Sequence, residues 1–244
     1  MFPPGLQQML QQQFMQGCAL AQQGTMVEAG GNLPGAAQCY EQAAAILSTC
    51  IVEAQQYQVP VDPQGWFNLS WCHFNTARTQ TMLGWGAAAP GHLMQAHNAL
   101  NIAINMNPTF APFHAAMGVL LATEGQAALA TQAFLRAIQL NPADAFSQYM
   151  LAILNQVQGN VAAGTQHYAA AQQYAPTLPP PQQALQAHDR GGKGFDWNAL
   201  VSTAGELFKA VNSVSSLFSS PQGNPSQGFP GGSPGGDFGG GFTY

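Results

Sequence analysis

APFHAAMGVLLATEGQAALATQAFLRAIQLNPAD, residues 111–144, holds two short apolar-periodic runs separated by Glu124-Gly125 and closed by Asn141-Pro142. Glycine between the runs permits a turn with positive φ, and proline after the second run stops a helix, so the stretch reads as a helical hairpin. The same pattern recurs on both sides. Segments of 34 residues starting at Ala77, Ala111 and Ala145 align without a gap and cover residues 77–176. The seventh position holds Leu83, Met117 and Leu151, and the eighth holds Gly84, Gly118 and Ala152. Gly91, Gly125 and Gly159 share the fifteenth; Ala96, Ala130 and Gly164 share the twentieth. Leu100, Phe134 and Tyr168 follow, then Ala103, Ala137 and Ala171, then Pro108, Pro142 and Pro176.

Each column has a physical reason. Small residues at the eighth and twentieth positions let two helices approach closely. The glycine at the fifteenth makes the turn between them. A large side chain at the twenty-fourth fills the space between hairpins, and the terminal proline ends one repeat and begins the next. A fixed period in this range is the signature of a solenoid, in which each unit buries its apolar face against its neighbours.

With these columns the chain resembles the tetratricopeptide repeat family. The resemblance implies an all-α fold, an α-α superhelix whose first helices line a concave, partner-binding face. It places Thr81, Met82 and Trp85, then Ala115, Ala116 and Val119, then Tyr149, Met150 and Ile153 on that face. The expected groove residues are Arg78, Met82, Trp85, Ala115, Val119, Tyr149, Met150 and Ile153. The family's carboxylate clamp uses Lys, Asn and Arg at such positions, and here only Arg78 remains of it. The groove is apolar instead, which suits helix-in-groove recognition of an apolar helix.

Upstream, Gly17–Cys50 fits the template as a degenerate repeat, with Gly24, Gly31, Ala36, Tyr40 and Ala43 in phase. Its second helix overruns to about residue 58, before the Pro60–Pro63 break. The next helix starts with Asp62 as N-cap and Pro63 at its first position, and is expected to run to Ala88. The expected organisation is an N-terminal long helical hairpin at 1–60, the repeat array at 61–176, a Pro/Gly linker at 177–194, an amphipathic helix at 195–219 and a disordered Gly/Phe tail at 220–244.

The helix at 195–219 has one apolar stripe: Trp197, Leu200, Val201, Leu207, Phe208, Val211, Val214 and Phe218. It cannot stand alone in water, because ordering each backbone residue costs about 1–2 kcal/mol. The stripe therefore faces a repeat array, its own or a neighbour's, as filler in cis or as link in trans. Lys209 is its one basic residue, which argues against a membrane surface.

Charged residues make up 6% of the chain and the net charge is −5, so there is no electrostatic footprint for nucleic acid or an anionic membrane. A surface with so little repulsion favours association that depends weakly on salt, so a homo-oligomer is expected. No apolar run is long enough to span a bilayer, and the first residues lack the pattern of a secretory signal. The expected location is cytoplasmic, with Cys18, Cys39, Cys50 and Cys72 as reduced thiols. Those cysteines and His73 lack the short spacing of zinc sites, and no nucleophile-elbow, phosphate-loop or His-Glu-x-x-His motif occurs. The expectation is a non-catalytic protein-interaction scaffold with no cofactor and no metal, its partner a protein or peptide helix. The alternatives are a self-assembling structural protein and a chaperone for a hydrophobic client helix.

Overall fold

The structure is a computed structural model that describes residues 5–187, 196–198 and 200. Among these residues there are nine α-helices and no strand. They are α1 Leu6–Ala29, α2 Leu33–Gln56, α3 Pro63–Met82, α4 Ala89–Met106, α5 Ala111–Thr123, α6 Ala127–Leu140, α7 Ala145–Val157, α8 Val161–Tyr174 and α9 Pro181–Ala187. Neighbours in sequence pack as four hairpins, α1 with α2, α3 with α4, α5 with α6 and α7 with α8. The second helix of one hairpin rests on the first helix of the next, most extensively where α2 meets α3. Among the described residues the fold is an all-α array of successive helical hairpins.

Local chemistry places the helix ends. Asp62 caps α3, its Oδ1 accepting from Gln64 N–H at 2.7 Å, and Asn32 caps α2 in the same way through Gly35 N–H at 3.0 Å. Asp144 caps α7 with bonds from the backbone N–H groups of Phe146 and Ser147 and from the Ser147 hydroxyl at 2.6 Å. Gly118 on α5 lies so close to α6 that an added Cβ would sit 2.6 Å from the Phe134 ring. The small residue of the eighth column and the large one of the twenty-fourth are therefore one contact.

Two helix assignments differ from the sequence expectation. The helix after Pro63 stops at Met82 and not at Ala88, and the left-handed turn of this hairpin is made by Gly84 (φ +75°). Gly125 (φ +76°) and Gly159 (φ +80°) make the equivalent turns, but Gly91 lies inside the first turn of α4. Gly125 precedes the end of its second helix, Leu140, by fifteen residues, and Gly159 precedes Tyr174 by the same distance. Gly84 precedes Met106 by twenty-two. The hairpin thus carries seven extra residues after its turn, and the first helix of this repeat is displaced seven residues upstream of the 34-residue register. Pro90 explains why. Proline has no N–H and a fixed φ, so it sits at the start of a helix, and α4 begins beside it. Secondly, the segment expected as a linker contains α9, which packs on α7, with Leu178, Pro181 and Ala184 buried.

The first helices form the inner layer. α7 is buried on almost every side, from Ala145 through Leu154, whereas its partner α8 buries only Gly164 and Ala171. The outer helices leave large apolar side chains in water, among them Met94, Met106, Leu129 and Val161.

Candidate functional site

The inner face is built from the fifth and ninth positions of α3, α5 and α7. After the seven-residue correction these are Phe74 and Arg78, Ala115 and Val119, and Tyr149 and Ile153. All six are almost wholly buried, and apart from Arg78 they belong to one apolar cluster together with Met150. Tyr149 lies against Tyr168, their ring centres 6.3 Å apart, and burial pushes its phenol up to about 12.

Trp197 and Leu200 join this cluster. Leu200 is fully buried in it and Trp197 packs against it half-buried. The Leu200 N–H donates to Asp196 C=O at 3.0 Å, the first turn of a helix. The remaining stripe residues Val201, Leu207, Phe208, Val211, Val214 and Phe218, and the Gly/Phe tail, lie outside the described residues.

Arg78 is not an open clamp. Its guanidinium grips Glu28 of α1 in a two-pronged ion pair, with Nη1 to Oε1 and Nη2 to Oε2 both 2.7 Å. Nε and Nη2 also donate to Asn75 Oδ1 at 3.2 and 2.9 Å, and Nη1 reaches the Asn198 carbonyl at 3.4 Å. The Tyr40 hydroxyl of α2 donates to Glu28 Oε2 at 2.9 Å. Burial, and then the Glu28 charge, push that phenol well above its ordinary value, so Tyr40 stays a donor. Both charges are desolvated, with side-chain exposures of 2% for Arg78 and 10% for Glu28. Such a pair holds only when its remaining donors are satisfied, as they are here. One guanidinium thus ties α1, α2 and α3 to the helical turn at Asp196.

The other expected groove residues divide. Ala115, Val119, Tyr149, Met150 and Ile153 come together in the inner cluster. Met82 lies half-buried at its rim, its Sδ 3.7 Å from Arg78 Nη1. Trp85 does not belong: it stands in the α3–α4 turn, 54% exposed, because the register displacement removes it from the first helix. Phe74 takes the apolar place on the face that the uncorrected register assigned to Thr81. Sequence reasoning also missed Glu28 and Tyr40, whose link to Arg78 spans three helices and leaves no local period.

Among the described residues no group of three or more His, Cys, Asp or Glu side chains is placed to hold a metal ion. No described helix is long and apolar enough to cross a membrane.

No family model matches the sequence, and no curated protein does. Solved structures resemble the fold. A thermophilic TPR protein of Thermus thermophilus, TTC0263, is 21% identical, with 66% of this chain and 92% of that chain covered and a TM-score of 0.44. One structure of MamA is 14% identical over 62% of this chain and 92% of that chain, with a TM-score of 0.36. A second MamA structure is 12% identical over 72% of this chain and 97% of that chain, with a TM-score of 0.35.

Proposed function

We propose that this tetratricopeptide-type array is a non-catalytic protein-interaction scaffold whose inner face takes an apolar helix of a protein partner. The observation that carries the reading is Leu200, fully buried in the cluster that contains Val119, Tyr149, Met150 and Ile153. A face that accepts one apolar helical turn has the shape and chemistry for helix-in-groove recognition. Arg78 is committed to Glu28, so its guanidinium is not open to a peptide carboxylate. The unpaired thiols of Cys18, Cys39, Cys50 and Cys72 suit a reducing compartment such as the cytoplasm.

The test is a panel of labelled peptides titrated into the full chain and followed by fluorescence anisotropy. Uncharged amphipathic helices are expected to bind, with affinities that change less than about threefold between low and high salt, because apolar burial is not screened. Preference for an acidic C-terminal tail, a steep salt dependence or no binding by any helix rejects the reading.

A second reading rests on the outer helices. Met94 is 61% exposed, Val161 58%, Met106 49% and Leu129 48%, on a chain with 6% charge. Such patches favour self-association, as a homo-oligomer or a larger assembly. Light scattering that rises with concentration and ignores salt supports it; a monodisperse monomer at all concentrations removes it.

A further inference from the structure

The turn at Asp196–Leu200 has the position of a ligand, although it is part of the chain. It packs on the inner face through two apolar anchors three residues apart, Trp197 and Leu200. Between them, the backbone carbonyl of Asn198 faces Arg78 Nη1 at 3.4 Å. The guanidinium that meets it is held from behind by both Glu28 oxygens and by Asn75 Oδ1. An arginine fixed in this way meets a ligand carbonyl without losing further rotamer freedom. Because the acceptor is a main-chain oxygen, the contact reads where the helix begins and not which side chain stands there. The apolar anchors supply the identity.

The contact spans 120 residues of sequence, between α3 and a turn that follows α9. Eight residues, 188–195, separate Ala187 from Asp196, enough to reach about 30 Å when extended. A tether of this length gives a local concentration on the order of millimolar, so even a weak contact is largely closed.

We propose that residues 196–200 are an autoinhibitory plug, a ligand in cis that occupies the inner face and must be displaced by a partner helix of the same chemistry. That partner helix starts with a bulky aromatic residue followed three positions later by a leucine-sized one, and has no charge on that side. This rests on the scaffold reading above and adds its regulation and its ligand rule. The face is closed in the resting chain, and a partner binds at the expense of the plug. A single device then covers an apolar surface that would otherwise stand open to water and selects partners strong enough to replace it.

The experiment uses the full chain and a labelled peptide of residues 195–218, FDWNALVSTAGELFKAVNSVSSLF, as probe. Wild-type protein is compared with the Trp197→Ser, Leu200→Ser double variant, whose helicity is checked by circular dichroism. With the plug disabled, the peptide is expected to bind roughly tenfold or more tightly, the factor that a tether of about 1 mM effective concentration imposes on a competitor when the untethered plug has a Kd of about 0.1 mM or below. A peptide carrying the same two serines is expected to bind neither protein. Equal affinity for both proteins overturns the plug while leaving the scaffold reading intact. Failure of the peptide on both proteins, when other apolar helices bind, overturns the ligand rule; failure of every helix overturns the scaffold reading itself. A second measurement leaves the plug residues unchanged. A photo-crosslinker at Met82, at the rim of the face, is activated in a mixture of isotopically light and heavy chains. Products joining position 82 to residues 196–200 of the same chain support the plug. Products joining light to heavy chains assign that turn to a second copy and overturn the cis arrangement.

Discussion

Two glycines seven residues apart test the displaced register directly. In the 34-residue alignment Gly91 is the turn glycine and Gly84 a packing residue inside a helix. The structure reverses these roles. Gly84 has φ +75°, whereas Gly91 lies in the first turn of α4 with nothing within 4 Å of an added Cβ. Gly84→Ala forces an L-residue into the left-handed region, which costs about 1–2 kcal/mol, partly offset by a stiffer unfolded chain. The expected net loss is about 1 kcal/mol. Gly91→Ala adds a methyl to open space and removes backbone freedom from the unfolded state, for an expected gain of about 0.5–1 kcal/mol. For a chain of this size 1 kcal/mol moves the thermal midpoint by about 2–4 °C. The two variants are therefore expected to fall on opposite sides of wild type, separated by roughly 3–8 °C in melts followed by circular dichroism. Urea titrations at constant m give the same order as free energies. A Gly91→Ala loss of 1 kcal/mol or more, with Gly84→Ala neutral, would restore the unbroken 34-residue register and refute the displaced hairpin.

Three further outcomes follow from the packing and the titratable groups. Gly118→Ala is expected to cost about 1–3 kcal/mol, because its Cβ would meet the Phe134 ring at 2.6 Å, and Phe134→Leu in the same chain is expected to recover part of that loss in a double-mutant cycle. Burial, with His92 alongside, holds the His73 imidazole down at about 4, so the unfolded chain takes the proton first. Stability is then full above about pH 6.5 and falls as pH drops toward 4, by up to about 2–3 kcal/mol, and urea titrations of His73→Gln are expected to show a flatter pH dependence than wild type. Cys18, Cys50 and Cys72 are buried, burial pushing the first two thiols up to about 11, while Cys39 is half-exposed. A thiol reagent is expected to label Cys39 alone in the native state and all four thiols in urea, and rapid native labelling of Cys72 would contradict the packing of α3.

Much of this architecture was legible because its signals are local. Proline and glycine punctuate backbone geometry wherever they stand, so Asp62-Pro63, Pro108, Pro142, Gly125 and Gly159 marked turns and helix ends directly. Periodicity also carried the second helices, whose small and large columns at Ala96, Ala130, Leu100 and Phe134 are packing contacts. The displaced turn was hidden because two glycines compete for one role, and a repeat register rewards the one that keeps the period. Pro90 was the signal that decides between them, since a helix must begin beside it. The helix α9 was masked by Pro179 and Pro180 just before it, although Pro181 is a helix-starting residue like Pro63. Of the candidate site, the apolar side chains of α5 and α7 followed from family positions, whereas the Glu28–Arg78 pair has a separation of fifty residues and no pattern around it.

The interior of α3 explains how a chain with 6% charge specifies one arrangement of its hairpins. From Cys72 to Gln80 every residue of α3 is buried, including Asn75, Thr76, Arg78, Thr79 and Gln80. Thr76 and Thr79 return their hydroxyls to the carbonyls of Cys72 and Asn75 at 2.9 and 2.7 Å, and Asn75 Nδ2 donates to Trp71 C=O at 3.0 Å. Side chains satisfied within their own helix pack like apolar ones and place no demand on neighbours. Ser70 and Arg78 differ. Ser70 Oγ donates to Ala96 C=O of α4 at 2.8 Å, and Arg78 reaches Glu28 of α1 and Asn198. Dispersion and apolar burial are tolerant of sliding, so an Ala-rich interface holds hairpins together without fixing their offset. Directional bonds do fix it, and α3 supplies them toward α1, α4 and the turn at 196–200. A buried ion pair adds little net stability over apolar packing, and its best-attested use is to specify register. Arg78 stands where three parts of the chain must agree in position, which is where that use is worth its desolvation.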